Sequence, residues 1–327
     1  MTTAPDALII TRRDVRRSMK PSDYLEAVEQ AFRATAAGKA FSPHPMHIPV
    51  PRGGFHAKGA SISLNNDYVA VKINGNFPAN PAEHGLPTIQ GAIVLADGIN
   101  GALLAILDSI EVTLRRTAAA SALAAKLLAR PDSTTLLICG CGEQGRAHVE
   151  AIREVLPIEH CLLWDLDHDR AGQLAVEMDC NVAMDLESAA RSADVIAACT
   201  PAREPYLYPG IISPGTFIAA VGADNPDKSE ISPRLMAAAT VVTDITAQCS
   251  TMGDLHHAIE AGDMTEADVR AELAEVLVGA GMGRTSPEEI IIFDSTGIGL
   301  QDVAAAAAIY KRCIGDPAVQ PVALSAP

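Results

Sequence analysis

The segment 140–145 reads GCGEQG, follows an apolar run and precedes a helical pattern. In a strand–turn–helix unit, glycines at this spacing permit a tight turn, close approach of a pyrophosphate to the backbone, and close packing of the helix on the strand. The amides at the helix N-terminus then bind the pyrophosphate. We therefore predict a dinucleotide-binding loop made by Gly140, Gly142, Glu143, Gln144 and Gly145.

An acidic residue ends the next predicted strand. Asp165 follows Gly145 by about 20 residues, which is the usual position of the acid that binds the ribose hydroxyls. The alternative is an ordinary helix cap. A carboxylate accepts hydrogen bonds from ribose hydroxyls and repels a 2′-phosphate, so Asp165 predicts NAD rather than NADP as the cofactor.

Two cationic side chains occupy positions where their charge needs an explanation. Lys72 lies in the predicted strand 68–74, and it either extends to solvent or has a function. Arg116 lies on the same face of the predicted helix 111–130 as Leu123, an apolar face. An arginine there needs an anion, which is either the carboxylate of a substrate or a buried carboxylate in a structural ion pair.

Three polar residues stand at the carboxyl ends of predicted strands, where doubly wound sheets bind their ligands. Thr200 and Ser295 are candidates for contacts with the nicotinamide ribose or carboxamide. Asp224 is followed by Asn225-Pro226, so it is either a turn residue or a group that faces the nicotinamide. The sequence alone leaves both interpretations of Asp224 open.

The elements that must position these residues form two regions. The first has a predicted helix at 19–38 and short strands separated by turn residues, which indicates an α+β unit with a largely antiparallel sheet; the strands are predicted at 48–50, 54–63, 68–74, 88–95 and 102–107. After the helix 111–130, apolar strands alternate with helices, which indicates a doubly wound parallel sheet; these strands are predicted at 134–140, 160–166, 181–184, 194–200, 215–222, 239–244 and 289–295. A final helix is expected at 300–313, the charged segment near Arg12 is expected to be a loop, and the last dozen residues are expected to be a loose tail.

Composition excludes several classes of protein. The chain has 327 residues, a formal net charge of −15 and 48% hydrophobic residues, so it is neither disordered nor suited to nucleic acid or an anionic membrane surface. Its seven cysteines are sparse and odd in number, which predicts no disulfide framework and a cytoplasmic location. Cys139, Cys141 and the histidines His44, His47 and His56 lack the spacing of a metal site, so no metal is expected.

Several segments together resemble the ornithine cyclodeaminase/mu-crystallin family. The resemblance runs from about residue 20 to residue 313, and the segments that carry it are Val71-Lys72-Ile73-Asn74, Gly85-Leu86-Pro87-Thr88, Arg116-Thr117-Ala118-Ala119-Ala120, the 140–145 loop, Val221-Gly222-Ala223-Asp224 and Asp294-Ser295-Thr296-Gly297. It implies an α/β fold in which a central Rossmann-type NAD domain (116–299) joins an α+β substrate-binding and dimerisation domain (1–115 and 300–327). It also implies a homodimer and hydride chemistry at the α-carbon of small amino or imino acids.

The same resemblance implies a role for each matching residue. Arg116 and Lys72 bind the substrate carboxylate, with Lys72 also near the imine nitrogen, and Asp224 is the acid/base group. Val221 and Gly222 belong to the cofactor site. Lys72, Arg116 and Asp224 form the expected catalytic set.

The chain departs from the family at two substrate-binding positions. His47 lies in the segment where many members have an early carboxylate-binding arginine. His56 and Lys58 stand where ornithine cyclodeaminases place a glutamate for the distal amine of ornithine. We therefore predict reduction of a cyclic ketimine, Δ1-pyrroline-2-carboxylate or Δ1-piperideine-2-carboxylate. The alternatives are an ornithine cyclodeaminase, an alanine-dehydrogenase-like enzyme, and a crystallin-like binding protein that retains NAD.

Overall fold

The computed structural model describes residues 6–324, which form two compact units. The first unit contains the chain up to Arg116 together with the segment from Ile298 onward. The second unit is Thr117–Gly297. Among the described residues, no helix combines the length and the apolar character that crossing a membrane requires.

The strands and helices are numbered in chain order. The strands are β1 (Ala7–Ile10), β2 (Ala40–Phe41), β3 (Met46–Val50), β4 (Gly53–Ser63), β5 (Asp67–Asn76), β6 (Ile89–Asp97), β7 (Leu103–Asp108), β8 (Thr135–Cys139), β9 (His160–Trp164), β10 (Asn181–Val182), β11 (Val195–Ala198), β12 (Phe217–Ala220), β13 (Thr240–Thr243), β14 (Ala271–Glu272), β15 (Ile291–Asp294) and β16 (Gln320–Val322). The α-helices are α1 (Arg12–Ser18), α2 (Pro21–Ala36), α3 (Asn80–His84), α4 (Ser109–Leu128), α5 (Glu143–Arg153), α6 (His168–Met178), α7 (Leu186–Ser192), α8 (Pro233–Ala238), α9 (Thr246–Cys249), α10 (Asp254–Glu260), α11 (Leu273–Leu277) and α12 (Gly299–Cys313).

The first unit is built on a mixed sheet in the order β16-β1-β7-β6-β5-β4-β2, with β3 also paired to β4. Only the β1–β7 pair among these is parallel. Helix α12 packs against β4, β5 and α2. It approaches β4 so closely that a Cβ on Gly299 would lie 2.6 Å from the carbonyl oxygen of Gly59, so glycine is needed there.

Alternation along β5 gives the sheet of the first unit one buried face and one exposed face. Lys72 points to the buried face with the neighbouring even-numbered residues of the strand. Val69, Val71 and Ile73 point the other way and are 36%, 40% and 47% exposed. The sheet therefore has an inner face under α12 and an outer apolar face.

The second unit contains a wholly parallel sheet in the order β10-β9-β8-β11-β12-β15-β13-β14. Strands β11, β12 and β15 are buried along their whole length, as strands covered on both faces must be. The chain leaves β8 in one direction to β9 and β10 and returns to β11 on the other side of β8. The carboxyl ends of β8 and β11 thus form the switch point of the sheet, which is the usual ligand-binding position.

The fold class predicted from the sequence is confirmed, and two local expectations are wrong. The charged segment near Arg12 is helix α1, whose N-terminus has a capping box between Thr11 and Asp14. The expected loose tail instead includes β16, which pairs antiparallel with β1. The last three residues of that expected tail, 325–327, lie outside the described part of the chain.

Candidate active site

The 140–145 loop joins β8 to α5 with the geometry that its glycines predict. Gly140 has a φ of +101°, and a Cβ there would lie 2.9 Å from the carbonyl oxygen of Cys199. A Cβ on Gly145 would clash with the carbonyl oxygen of Gly140. Both positions therefore require glycine, the first for the turn beside β11 and the second for close packing of α5 on β8.

The N-terminus of α5 fits an anionic ligand. Within residues 6–324, no atom lies within 4 Å of a Cβ built on Gly142, and no side chain caps the helix. Glu143 is exposed, whereas the buried Oε1 of Gln144 has no hydrogen-bond partner among the described groups. Uncapped amides beside an open backbone suit the pyrophosphate of a dinucleotide.

Asp165 links the end of β9 to this loop. Its Oδ2 accepts a hydrogen bond from the Cys141 amide (2.8 Å), and its Oδ1 accepts one from the Asp167 amide (2.9 Å). The N-cap of α6 is Asp167, which accepts a hydrogen bond from the Arg170 amide. The helix-cap alternative for Asp165 is therefore excluded, and its carboxylate stands directly beside the loop.

At the ends of β11 and β12, a residue that the sequence analysis missed organises the predicted site. The side chain of Glu230 is buried; its Oε1 accepts hydrogen bonds from the amide and hydroxyl of Thr200, both at 2.7 Å. Its Oε2 accepts a hydrogen bond from the Gly222 amide at 2.8 Å. Val221, one residue earlier, continues β12 by donating its amide to the carbonyl oxygen of Ala198. Nothing in the local sequence distinguishes Glu230 from a surface glutamate.

Asp224 stands in the exposed turn after β12. Its side chain is 55% exposed, and its Oδ1 lies 2.7 Å from the Lys228 ammonium. The same oxygen accepts a hydrogen bond of 3.3 Å from the Asn225 side chain. An accessible carboxylate beside an ammonium can exchange protons with a ligand while its charge is compensated.

Ser295 directly follows β15 and forms a hydrogen bond with a buried carboxylate of the second unit. Its hydroxyl donates to Asp244 Oδ2 at 2.9 Å, and the residue is 5% exposed. The Gly297 amide donates to the same carboxylate oxygen. Asp244 thus fixes the turn after β15, and it is a second buried carboxylate that the sequence analysis missed.

The first unit contains a buried ionic cluster around Asp302 of α12. The Lys72 ammonium lies 2.7 Å from Asp302 Oδ2, and Arg116 Nε donates to Asp302 Oδ1 at 3.0 Å. Arg116 Nη1 also donates to Gln301 Oε1 at 2.7 Å, and Lys72 donates to the hydroxyl of Thr113 at 3.2 Å. Lys72, Arg116 and Asp302 are 5%, 4% and 2% exposed. Arg116 therefore has the buried carboxylate that was one of its two predicted partners.

Burial changes the protonation of this cluster. It lowers the pKa of Lys72 to about 7; Asp302 opposes the shift, and Arg116 and Lys58 add to it. Burial acts to raise the pKa of Asp302, but Arg116 and Lys72 outweigh it and hold that pKa below its ordinary value. Asp302 is therefore an anion at neutral pH, shared by two buried cationic side chains.

The predicted substrate residues of β3 and β4 share the inner face with this cluster. Lys58 stands directly opposite Lys72 in the β4–β5 register. His56 stands opposite His47 in the β3–β4 register, and their rings stack with centroids 4.5 Å apart. The structure thus brings together Lys58, Lys72 and Arg116 around one carboxylate. Within residues 6–324, no three or more His, Cys, Asp or Glu side chains are grouped so that they could hold a metal ion.

Comparison with known proteins gives one family along almost the whole chain. The model of the ornithine cyclodeaminase/mu-crystallin family matches residues 6–316. Alanine dehydrogenase of Archaeoglobus fulgidus is 34% identical over 313 residues, which cover 94% of this chain and 96% of that protein. Ketimine reductase mu-crystallin of Mus musculus is 33% identical over 290 residues, which cover 88% and 90%.

Solved structures agree over the same length. An archaeal alanine dehydrogenase dimer with bound NAD has a TM-score of 0.92 and 33% identity, covering 97% of this chain and 99% of that one. Thermococcus litoralis Δ1-pyrroline-2-carboxylate reductase, in complex with NADH and L-proline, has a TM-score of 0.91 and 29% identity, covering 96% and 100%. Paracoccus denitrificans iminosuccinate reductase, in complex with NAD+, has a TM-score of 0.90 and 30% identity, covering 97% and 99%.

Proposed function

Because the chain belongs to the ornithine cyclodeaminase/mu-crystallin family, we propose that it reduces the imine of a small 2-imino acid with NADH. The observation that carries this proposal is the shared carboxylate of the first unit. Lys72 and Arg116 are both buried, and Asp302 is the carboxylate that pairs with both of them. With both cations protonated, the cluster has an excess of one positive charge. A buried charge of this kind is stabilised by an anion, and a substrate carboxylate supplies one.

The second unit holds the cofactor in this proposal. The uncapped N-terminus of α5 binds the pyrophosphate, and Asp165 accepts hydrogen bonds from the adenosine ribose. Thr200, Val221, Gly222 and Ser295 border the nicotinamide end. NADH supplies the hydride, and the similar structures named above hold NAD, NADH or NAD+.

The residues of the chain bind, orient and protonate the substrate. Arg116 and Lys72 hold its carboxylate, which fixes the α-carbon and leaves the imine nitrogen near Lys72. Asp224 supplies the proton that the nitrogen gains when the C=N bond becomes a C–N bond. Lys228, 2.7 Å from Asp224, stabilises the carboxylate that remains.

We propose a cyclic ketimine, Δ1-pyrroline-2-carboxylate or Δ1-piperideine-2-carboxylate, as the substrate. Such a molecule has one carboxylate for Lys72 and Arg116 and no distal ammonium. His56 and Lys58 stand where ornithine cyclodeaminases have a glutamate, and a lysine there disfavours a second cationic group. The same residues argue against ornithine cyclisation by this chain.

A specific observation favours a second candidate, an imine with a second carboxylate. Lys58 on β4 stands directly opposite Lys72 on the neighbouring strand β5. Like charges at directly opposite positions destabilise a sheet. Three cationic side chains, Arg116, Lys72 and Lys58, therefore act on the same carboxylate of Asp302. A dicarboxylic imine, such as the one that names the Paracoccus relative, would offer one carboxylate to Arg116 and Lys72 and a second one to Lys58.

We also propose that the chain forms a homodimer through the outer apolar face of the first unit. Val69, Val71, Ile73 and Val94 are each more than a third exposed on that face. An exposed apolar sheet face of this kind is typical of a protein–protein interface. A second copy is the proposed occupant, since the similar archaeal alanine dehydrogenase is a dimer.

The cysteine usage supports a cytoplasmic location in the same proposal. All seven cysteines are free thiols in the structure. Compartments that keep thiols reduced are the usual setting for such a chain.

One assay tests the proposed reaction. The purified protein and NADH are mixed with Δ1-pyrroline-2-carboxylate, Δ1-piperideine-2-carboxylate or iminosuccinate, and NADH absorbance is followed. We expect stoichiometric NADH consumption with a cyclic ketimine, and little ammonia from ornithine with catalytic NAD. Preference for iminosuccinate would select the second candidate. Rapid conversion of ornithine to proline and ammonia at constant NADH would make the chain a cyclodeaminase, and NADH binding without turnover of any imine would indicate a binding protein.

A further inference from the structure

Glu230 stands out in the second unit because it is a completely buried carboxylate whose hydrogen bonds come from neutral donors. Its Oε1 accepts hydrogen bonds from the amide and hydroxyl of Thr200 and, at 2.6 Å, from the hydroxyl of Tyr206. Its Oε2 accepts one from the Gly222 amide. These donors, two backbone amides and two hydroxyl groups, are all neutral. Burying an anion in this way is costly, so a reason beyond packing is needed.

The bonds of Glu230 join the two strand ends that border the proposed nicotinamide site. Thr200 follows β11, and Gly222 follows β12. A Cβ on Gly222 would clash with Glu230 Oε2, so the carboxylate reaches this amide only because residue 222 is glycine. One side chain therefore fixes the spacing of two adjacent loops.

Glu230 also closes the loop that contains Asp224. The hydrogen bond from the Gly222 amide to Glu230 Oε2 joins the two ends of the loop 222–230, which contains Asp224 and Lys228. The far end of the loop is anchored again, because the amides of Glu230 and Ile231 donate to Asp254 Oδ1 at 2.8 and 3.0 Å. These two anchors fix both ends of the loop that contains Asp224.

A glutamine could not replace this carboxylate without loss. Glu230 is the acceptor in all four of its side-chain hydrogen bonds, and two of the four donors are backbone amides with fixed directions. An amide side chain has one acceptor oxygen, and its NH₂ group would face a donor. Burial and the charge of Asp254 raise the pKa of Glu230 to about 7, so the chain keeps this group at an energetic cost.

We propose that Glu230 is a positioning residue, which holds Thr200 and the Asp224 loop in the geometry required for nicotinamide binding and proton transfer. The inference rests on the proposed function for the roles of Thr200 and Asp224. It assigns to Glu230 no contact with substrate. Loss of the carboxylate is therefore expected to change cofactor affinity and turnover, but not the affinity for the substrate carboxylate.

The sole tryptophan of the chain provides a direct readout. The centroids of the Trp164 and Tyr206 rings are 5.4 Å apart, and the Tyr206 hydroxyl donates a hydrogen bond to Glu230. Energy transfer from Trp164 to NADH measures cofactor affinity without any turnover. For Glu230→Gln we expect an NADH Kd about tenfold higher, a kcat at least about 100-fold lower, and an unchanged imine KM. The control is Glu204→Gln, an exposed glutamate of the loop that contains Tyr206.

A purely structural role predicts a different result, namely a lower Tm and a smaller active fraction, with the parent's Kd and kcat in the molecules that remain folded. That result overturns the proposal. If Glu230→Gln does not fold, Tyr206→Phe removes one donor and keeps the carboxylate, and we expect its NADH Kd to rise about fivefold; parent values in that variant equally overturn the proposal. Since NADH affinity is measured without substrate, an inactive parent would refute the proposed reaction and leave the test of Glu230 intact.

Discussion

The Lys72 ammonium lies 2.7 Å from Asp302 Oδ2, and both side chains are at most 5% exposed. The pair joins the centre of β5 to the first turn of α12, two segments that are far apart in the chain. Asp302 partly offsets the lowering of the Lys72 pKa by burial, and it also accepts a hydrogen bond of 3.0 Å from Arg116 Nε. The same carboxylate therefore favours the charged form of Lys72 and orients both of the proposed substrate-binding cations.

The first prediction concerns the pH dependence of carboxylate binding. The pKa of Lys72 is lowered to about 7, so its positive charge is lost as the pH rises through that value. We expect the affinity for a carboxylate of constant charge, such as lactate used as a competitor, to fall over the same range. Asp302→Asn removes the anion that supports the ammonium, so the fall should begin at a lower pH. Equal midpoints for parent and variant would show that Asp302 does not set the charge of Lys72.

The second prediction separates substrate binding from cofactor binding. Lys72→Met and Arg116→Leu should abolish imine turnover while leaving the NADH Kd nearly unchanged, because neither residue belongs to the dinucleotide loop. Exposed Lys39→Met serves as the control for the lysine, and Arg115→Leu, which removes an ion pair with Glu111, serves as the control for the arginine.

Lys72→Met and Arg116→Leu each leave Asp302 with one cation fewer, and breaking a buried ion pair costs about 3–5 kcal/mol of folding stability. Thermal unfolding must therefore accompany the kinetics. A folded Lys72→Met or Arg116→Leu protein that turns over imine at the parent rate would remove that residue from the substrate site.

The third prediction concerns Asp224. Asp224→Asn has nearly the same shape but cannot exchange protons, so kcat should fall by about 10²–10⁴-fold with little change in imine KM or NADH Kd. Asp227→Asn, an exposed aspartate of the same loop, should keep the parent kcat. Parent-like kinetics for Asp224→Asn would make Asp224 a turn residue.

The regular elements could be predicted because their sequence patterns are local. Apolar runs between helices predicted the parallel sheet, and turn residues between short alternating segments predicted the antiparallel strands. Helix α1 was missed although Thr11 and Asp14 have the spacing of a capping box. Strand β16 has no such local signal, because only its pairing with β1 makes it a strand.

A site residue could be predicted from the sequence only where the residues next to it form a recognisable motif. Gly140 and Gly145 have a motif, whereas Asp302 lies in an alanine-rich helix where it resembles a surface residue. A signal was nevertheless present, since a helix that is apolar on every side is usually buried and its polar residues then need partners. Glu230 had no comparable signal, because its burial depends on loops that meet only in the folded chain.

The fourth prediction concerns the choice of cofactor. With Asp165 beside the loop, NAD(H) should bind at least tenfold better than NADP(H), about 1.4 kcal/mol. Asp165→Ser should narrow the gap, because it removes both the ribose acceptor and the repulsion of a 2′-phosphate. In the parent, Arg170 Nη1 lies 3.9 Å from Asp165 Oδ2. Without that carboxylate, Arg170 can bind the 2′-phosphate. Exposed Asp169→Ser should keep the parent preference, and equal affinities for the two cofactors in the parent would contradict the assignment.

The fifth prediction tests the outer face of the first unit as the contact between two copies. Val71 is 40% exposed in the middle of the apolar strand face, so Val71→Glu would place two carboxylates in the buried centre of a symmetric interface. We expect the parent to be a dimer by light scattering and Val71→Glu to shift it to monomers, with the NADH Kd per chain unchanged. Val176→Glu is the matched control, because Val176 is 89% exposed on α6 of the second unit and should leave the dimer intact. A monomeric parent, or a Val71→Glu dimer as stable as the parent, would require a different interface or none.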